Sequence, residues 1–334
     1  MSEKKITIQD IARTAGVSKS TVSRVLNNTT PVNEIKRRAV LDAMDGLDFK
    51  PNIFARSLAG GCSMTIGVIT QKMDSPFFSM VTTGLIEGLT GSDYSPIFVD
   101  GQWRPDQQKA AINTLLDRNV DGLVMLGGDL ESEVLTELVG EKPTVIVAKQ
   151  LDGWQEHSVA IDNFEAARRA VQYLLDQGHQ KIAHIGGILG HDDAQARYKG
   201  YFAAMQQAEI KSFGDLFVEG DFSSMSGVLA VEKLLSRGTP FTAIFAANDE
   251  MAYGARLALY RQGIRVPEDI SIVGFDDQPN SAYMTPPLTT VAQPAVEMGI
   301  ATARIILGKL THSEYEIPVL PAQLVIRESV ARID

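Results

Sequence analysis

Between Thr7 and Leu47 the apolar positions recur three and four residues apart, the period of helices that bury one face. In "TIQDIARTAG", Ile8, Ile11, Ala12 and Ala15 share such a face. Thr7 followed by Asp10 is a capping-box pattern, in its weaker form with Asp where Glu or Gln is stronger. Gly16 then ends that helix, because glycine enters the left-handed region without steric cost. In "VSKSTVSRVL", Val22 and Leu26 fall on one face and Ser20 and Arg24 on the other, with Ser18 placed as N-cap. A third helix is predicted in "NEIKRRAVLDAMDGL", where Ile35, Ala39, Ala43 and Leu47 stand four apart and close a small core with Val17, Val22 and Leu26. Two short helices joined by a turn containing glycine predict a helix-turn-helix head of three helices.

From Met64 the pattern changes. Short apolar runs ("TIGVIT", "SPIFVD", "DGLVML", "TVIVAK", "KIAHIGG", "LFVEG", "AIFAAN", "ISIVGF") alternate with helical stretches such as "SPFFSMVTTGLIEGL" and "NFEAARRAVQYLLDQG". Ser75 followed by Pro76 is a favoured helix entry. Strand–helix alternation predicts doubly wound parallel sheets, and the number of strands exceeds one small sheet. The body therefore divides near Ile161–Asn163 into two α/β lobes. Ligands of open α/β sheets collect beyond the carboxyl ends of the strands. That rule selects Phe77 after the first strand, His191 and Arg197 in "ILGHDDAQAR", Phe222 in "VEGDF", Asn248 in "FAAND", and Asp276 with Asp277 in "GFDD". Carboxylate, guanidinium and amide groups bind vicinal hydroxyls, and aromatic faces pack on an apolar sugar face. Each residue also has a structural alternative: core for the phenylalanines, a turn cap for Asp276, a surface ion pair for Arg197.

Composition sharpens this division. The chain has 334 residues and a net charge of −10, yet residues 1–60 hold ten Lys/Arg against six Asp/Glu. A basic head on an acidic body is what a protein needs when only the head approaches a polyanion. One cysteine, Cys62, excludes an intrachain disulfide framework and fits a reducing compartment. The N-terminal "MSEKKITIQD" lacks a signal-peptide core, and no apolar run reaches the length of a membrane span, so a soluble intracellular protein is expected. No G-x-G-x-x-G follows a strand, no P-loop is present, and the five histidines lack metal-ligand spacing. No nucleophile–base pair stands out. No catalytic residues, cofactor or metal are predicted.

Between head and body, "PNIFARSLAGG" reads as one or two helical turns, too short to persist alone, before the joint Gly60–Gly61. Leu58 beside Arg56 is suited to wedging a base step from the minor groove. With "TIQDIARTAGVSKSTVSRVLNN" and "KPNIFARSLAGG" together, the chain resembles the lac repressor/galactose repressor family of bacterial transcription regulators along essentially its whole length. The resemblance implies a head over 1–50, a hinge helix and linker over 51–61, and a two-lobed effector and dimerisation domain of periplasmic-binding-protein type over 62–334. The lobes would comprise about 62–161 with 293–321, and about 162–292 with 322–334; "LTTVAQP" and "AQLVIRES" would be return crossings. It further implies that Lys19 and Ser20 vary with operator sequence, and that Thr21, Ser23 and Arg24 contact phosphates or bases. Thr7, Ser18, Asn27, Ala55 and Arg56 complete the DNA-binding set, with Leu58 as wedge. Ala59 departs from members that have Lys, which removes one phosphate contact. Phe77, Arg197, Phe222, Asn248 and Asp276 match effector positions, and His191 in "GHDD" lies at the same cleft. At Ala148 sugar-binding members often carry Asp, whereas here Lys149 follows, so a sugar and a nucleobase both stay open. The function so implied is a repressor of carbohydrate uptake or catabolism genes, switched by a small sugar-like effector. It would be cytoplasmic and bind a pseudopalindromic double-stranded operator as a homodimer or tetramer, without membrane contact. The alternative is a two-lobed sugar-processing enzyme or sugar-binding protein with no regulatory role.

Overall fold

The computed structural model describes residues 6–27, 31–47, 49, 62–210 and 214–333. The chain divides into two compact units, Met1–Thr65 with Leu116–Asp121, and Ile66–Leu115 with Gly122–Asp334. No described helix is long and apolar enough to cross a membrane.

The first unit holds α1 (Ile8–Thr14), α2 (Lys19–Asn27) and α3 (Glu34–Gly46). The capping box forms as expected. The Thr7 hydroxyl accepts from the Asp10 N–H, and an Asp10 carboxylate oxygen accepts from the Thr7 N–H at 3.1 Å. Gly16 takes φ +65° and breaks the chain direction. Ser18 caps α2, its Oγ accepting from the Thr21 N–H at 3.2 Å. Ile11, Ala12, Val22, Val40 and Ala43 form the buried centre, with Val17, Leu26 and Leu47 packed around it.

Ile35 departs from expectation, being 80% exposed. Four residues span about 400° of helix, so a strict i+4 row drifts roughly 40° per step and leaves the core face. The row that stays on it is Val40, Ala43, Met44 and Leu47. Accordingly Ile35→Gln should change head stability by less than about 0.5 kcal/mol. Val40→Ala should cost roughly 2 kcal/mol, from lost transfer energy plus a cavity. Native-state hydrogen exchange of head amides in the full-length chain measures both; equal losses would contradict this packing.

The body contains two sheets. The first runs β2 (Ser95–Asp100), β1 (Thr65–Thr70), β3 (Gly122–Leu126), β4 (Thr144–Val147), β5 (Ser158–Val159). The second runs β11 (Gln323–Val325), β10 (Thr289–Ala292), β9 (Ser271–Asp276), β8 (Ala243–Ala246), β6 (Ile182–Gly186), β7 (Phe217–Glu219). The registered pairs are parallel except β10 with β11. All eight runs singled out in the sequence are strands. The two-residue β5 was not expected, since nothing so short carries a period. Strand β4 stops at Val147 because Ala148 turns left-handed, φ +60°.

Among the described residues, eight α-helices cover the sheets: α4 (Pro76–Leu89), α5 (Pro105–Asp117), α6 (Ser132–Val139), α7 (Asn163–Asp176), α8 (Asp192–Gln207), α9 (Ser224–Ser236), α10 (Asp249–Arg261) and α11 (Ala295–Thr311). Ser75 caps α4 with Pro76 in its first turn. Helix α11 follows β10 of the second sheet but packs on α4, β3 and β4 of the first; the chain then returns as β11. Helices meet closely through glycines. A Cβ at Gly84 would lie 1.9 Å from the Val296 carbonyl oxygen, and one at Gly299 would lie 2.0 Å from that of Val81.

Candidate functional site

On the head, Lys19, Ser20 and Arg24 are exposed along α2, while Thr21 and Ser23 are half-buried. The Ser18 hydroxyl lies 2.8 Å from both the Ser20 and Thr21 hydroxyls, so these three form one hydrogen-bonded cluster at the helix N-terminus. Amides at a helix N-terminus favour an anion. Thr7 is exposed, but its hydroxyl is engaged with the Asp10 carboxylate at 2.7 Å. Ala55, Arg56 and Leu58, and the Asn27 side chain, lie outside the described residues.

In the body, a cleft of about 420 Å³ is lined by segments that each follow the end of a strand. Phe77, His191, Arg197, Phe222, Asn248 and Asp276 all line it. Asp277 does not. Its carboxylate lies 2.7 Å from the Arg327 guanidinium, which ties the "GFDD" turn to the chain end.

Arg197 on α8 is 4% exposed and sits 3.9 Å over the Phe275 ring. Its Nε donates to Asn163 Oδ1 (2.9 Å) and its Nη1 to the Ala247 carbonyl (2.6 Å). The guanidinium also faces Asp193 at 3.7 Å and Asp276 at 3.9 Å. Asp276 closes β9 at φ +115°, a backbone region that costs non-glycine residues about 1–3 kcal/mol. Its Oδ1 accepts from Gln293 Nε2 at 2.7 Å and its Oδ2 from Gln278 Nε2 at 3.4 Å. Burial raises its carboxyl to about 6 against the opposing pull of Arg197. Beneath it Asp249 is fully buried and accepts from the Gln278 amide, Ser281 and Thr290. Burial and the Asp276 charge push Asp249 up to about 8.

Asn248 has a positioning role. Its Oδ1 caps α10 through the Met251 N–H (2.9 Å), and its Nδ2 donates to the Phe222 carbonyl (3.0 Å). It thereby holds the left-handed turn at Phe222, φ +66°. The Phe222 ring lies over Gly187, where a Cβ would stand 2.1 Å from it. Across the cleft, two consecutive left-handed residues, Gln102 (φ +55°) and Trp103 (φ +52°), present the Trp103 indole. It stacks on His191 with centroids 4.2 Å apart and planes at 18°. His191 Nε2 lies 3.7 Å from Asp129, and Lys149 Nζ lies 3.5 Å from Asp192. His184 is a core residue: its Nδ1 donates to the Phe245 carbonyl at 2.9 Å, and burial lowers its pKa to about 4.

Trp103, Asp129, Gln278 and Gln293 were missed in the sequence, and Lys149 was noted only as a departure. Trp103, Asp129, Lys149 and Gln293 follow the ends of strands that the rule did not draw on, and Gln278 lies one residue beyond the "GFDD" turn already selected.

Comparisons with known proteins now bear on both units. Residues 7–52 match the model for bacterial regulatory proteins of the lacI family, and residues 171–330 match a periplasmic binding protein-like domain. Catabolite control protein A of Priestia megaterium is 34% identical over 328 residues, covering 97% of this chain and 99% of that protein. The HTH-type transcriptional repressor PurR of Aliivibrio salmonicida (strain LFI1238) is 34% identical over 331 residues, covering 98% and 99%. The lac repressor dimer, solved bound to operator and the anti-inducer ONPF, superposes with a TM-score of 0.87 at 30% identity, covering 98% of this chain and 100% of that one. The chain belongs to the lacI family of bacterial regulatory proteins, DNA-binding transcriptional repressors with a helix-turn-helix head and a periplasmic-binding-protein-like effector domain.

Proposed function

We propose that the chain represses carbohydrate uptake or catabolism genes and is released from its operator by a small sugar-like effector bound between the two lobes. One observation carries this reading. The buried Arg197 and Asp276, with the rings of Phe77 and Phe222, converge on a single cleft at the strand ends of both sheets. Bidentate polar groups opposite aromatic faces are the combination that grips a polyol. Full-length kinship with regulators supports this reading over a sugar-processing enzyme. In the proposed division, the head covers 1–50, the hinge 51–61, and the lobes about 62–161 with 293–321 and about 162–292 with 322–334.

The proposed assembly is a cytoplasmic homodimer on a pseudopalindromic site, its two-fold axis matched to that of the DNA. The effector switches the repressor only by binding two lobe arrangements with different affinity. Ala55, Arg56 and Leu58 in the proposed hinge take their assigned DNA contacts from the family resemblance. Thermal-shift and operator-release assays of the full-length protein against sugars and nucleobases test the effector reading; release by nucleobases alone would overturn it.

Exposed Lys19 and Ser20 are assigned to base edges and Arg24 to phosphate. Lys19→Ala or Ser20→Ala should alter the preferred operator bases, at about 1–3 kcal/mol per good contact. Arg24→Ala should weaken all sequences more evenly. Selection from a randomised operator library reads these profiles, and profiles identical to the wild type for both Lys19 and Ser20 variants would remove the assignment.

A further inference from the structure

We infer that the cleft accepts a donor-rich effector that is uncharged or carries an amine, and rejects its phosphorylated and carboxylated forms. This inference rests on the reading of the cleft as the effector site. The lining carries seven carboxylates against three cations, and each cation already faces a carboxylate. Lys72 lies 3.8 Å from Asp74 and also interacts with the charge of Asp221. Lys149 is shared between Asp192 and the Gly128 carbonyl, the latter at 2.8 Å. Arg197 faces Asp193 and Asp276 and donates to two further oxygens. Among the described residues, no cation lining the cleft is without a carboxylate facing it. Asp129 faces His191 at 3.7 Å and shares the charge of Lys149, while Glu250 adds negative charge with no ion pair among the described residues.

Hydrogen-bonding capacity points the same way. Gln278 is 3% exposed, and its amide is oriented by donating Nε2 to the Asp276 carboxylate, so its Oε1 is an acceptor; that oxygen has no partner. His191 is 9% exposed, and its Nδ1 has no hydrogen-bond partner among the described residues. A buried amide oxygen left unpaired is costly, so the complementary ligand presents hydroxyl or ammonium hydrogens to Gln278. A phosphate or carboxylate presents only oxygens at neutral pH and meets net negative charge in a partly enclosed, low-dielectric space. Binding of the phosphorylated form should be at least about 100-fold weaker than that of its parent. A regulator with this selectivity senses the substrate of a phosphorylating step and not its product.

The chain has two tryptophans, and only Trp103 lines the cleft. In full-length Trp154→Phe protein at low ionic strength, quenching of Trp103 by iodide should be at least threefold weaker than by caesium, each normalised to its effect on free indole. Asp192→Asn with Asp193→Asn should bring the two quenchers towards parity. Trp103→Phe protein, which reports Trp154, should be unaffected by that double change. Iodide equal to or stronger than caesium at Trp103 overturns the inference. Calorimetry then compares glucose, glucosamine, glucose 6-phosphate and glucuronate, and separately adenine with adenosine 5′-monophosphate. A phosphate or uronate that binds as tightly as its neutral parent also overturns the inference. Binding confined to adenine would end the carbohydrate reading, with the monophosphate still judging the charge rule. If none of these compounds binds, the quenching ratio decides.

Discussion

Gly84→Ala or Gly299→Ala should each destabilise the body by about 3 kcal/mol or more, enough to lower the melting temperature by many degrees or prevent folding. The two glycines face each other's helices. The added methyl would lie 1.9 Å from the Val296 carbonyl oxygen in one case and 2.0 Å from the Val81 carbonyl oxygen in the other. Backbone oxygens inside helices cannot rotate aside as a side chain does, so α4 and α11 must separate. Separation uncovers the apolar layer beneath them, including Leu85, Met298 and Ile305, all fully buried. The same substitution at Gly46 meets nothing within 4 Å and needs no left-handed backbone. There alanine should be neutral or stabilise by up to about 1 kcal/mol through helix propensity. Urea unfolding of the three variants measures the contrast; a Gly84→Ala midpoint within error of the wild type would show that the helices have room to spare.

That contact also marks the limit of what the sequence conveys. Thr7, Asp10, Gly16, Ser18 and Ser75 act through neighbours within four residues, and each was legible because capping and left-handed turns are local chemistry. The strands were legible because a buried parallel strand is a short apolar run. Asp276 and Arg197 were placed because strand ends converge in any doubly wound sheet. What stayed hidden depends on distant partners. Nothing in "TTGLIEG" says that Gly84 touches the carbonyl of a residue 212 positions later. Asn248 lines the cleft as expected, but nothing local shows that its amide also joins a helix cap to the Phe222 turn. Trp103 stands in an unremarkable "GQWRP", and two left-handed backbones are needed to aim it across the cleft. Ile35 failed for a simpler reason, since a row four apart only approximates a helical face.

Asp276→Asn should leave a folded repressor that holds its operator but no longer responds to its effector. Asp276 offers two carboxylate oxygens from a buried site, and a hydrogen bond to a charged group contributes roughly 1.5–3 kcal/mol. An amide keeps one acceptor and turns an NH₂ towards the other hydroxyl, so effector affinity should fall about 10- to 100-fold or more. Arg197→Lys should act similarly. A lysine cannot hold Asn163, the Ala247 carbonyl and a ligand with one planar fork. The two differ in stability. Because burial raises the Asp276 carboxyl to about 6, the folded state holds its proton more tightly than the unfolded chain does. Its ionisation therefore costs stability as pH rises from about 4 to 6. Asparagine removes that cost, so Asp276→Asn should melt no lower than the wild type at pH 7.5, whereas Arg197→Lys should melt lower. In the wild type, a hydroxyl-bearing effector needs the ionised carboxylate, and its affinity should decline as pH drops below about 6. In Asp276→Asn that decline should vanish. The measurements are effector titrations at pH 5 and 7.5, operator affinity without effector, and melting temperature. A variant with normal effector response, or one that loses operator binding by unfolding, would return Asp276 to a purely structural role.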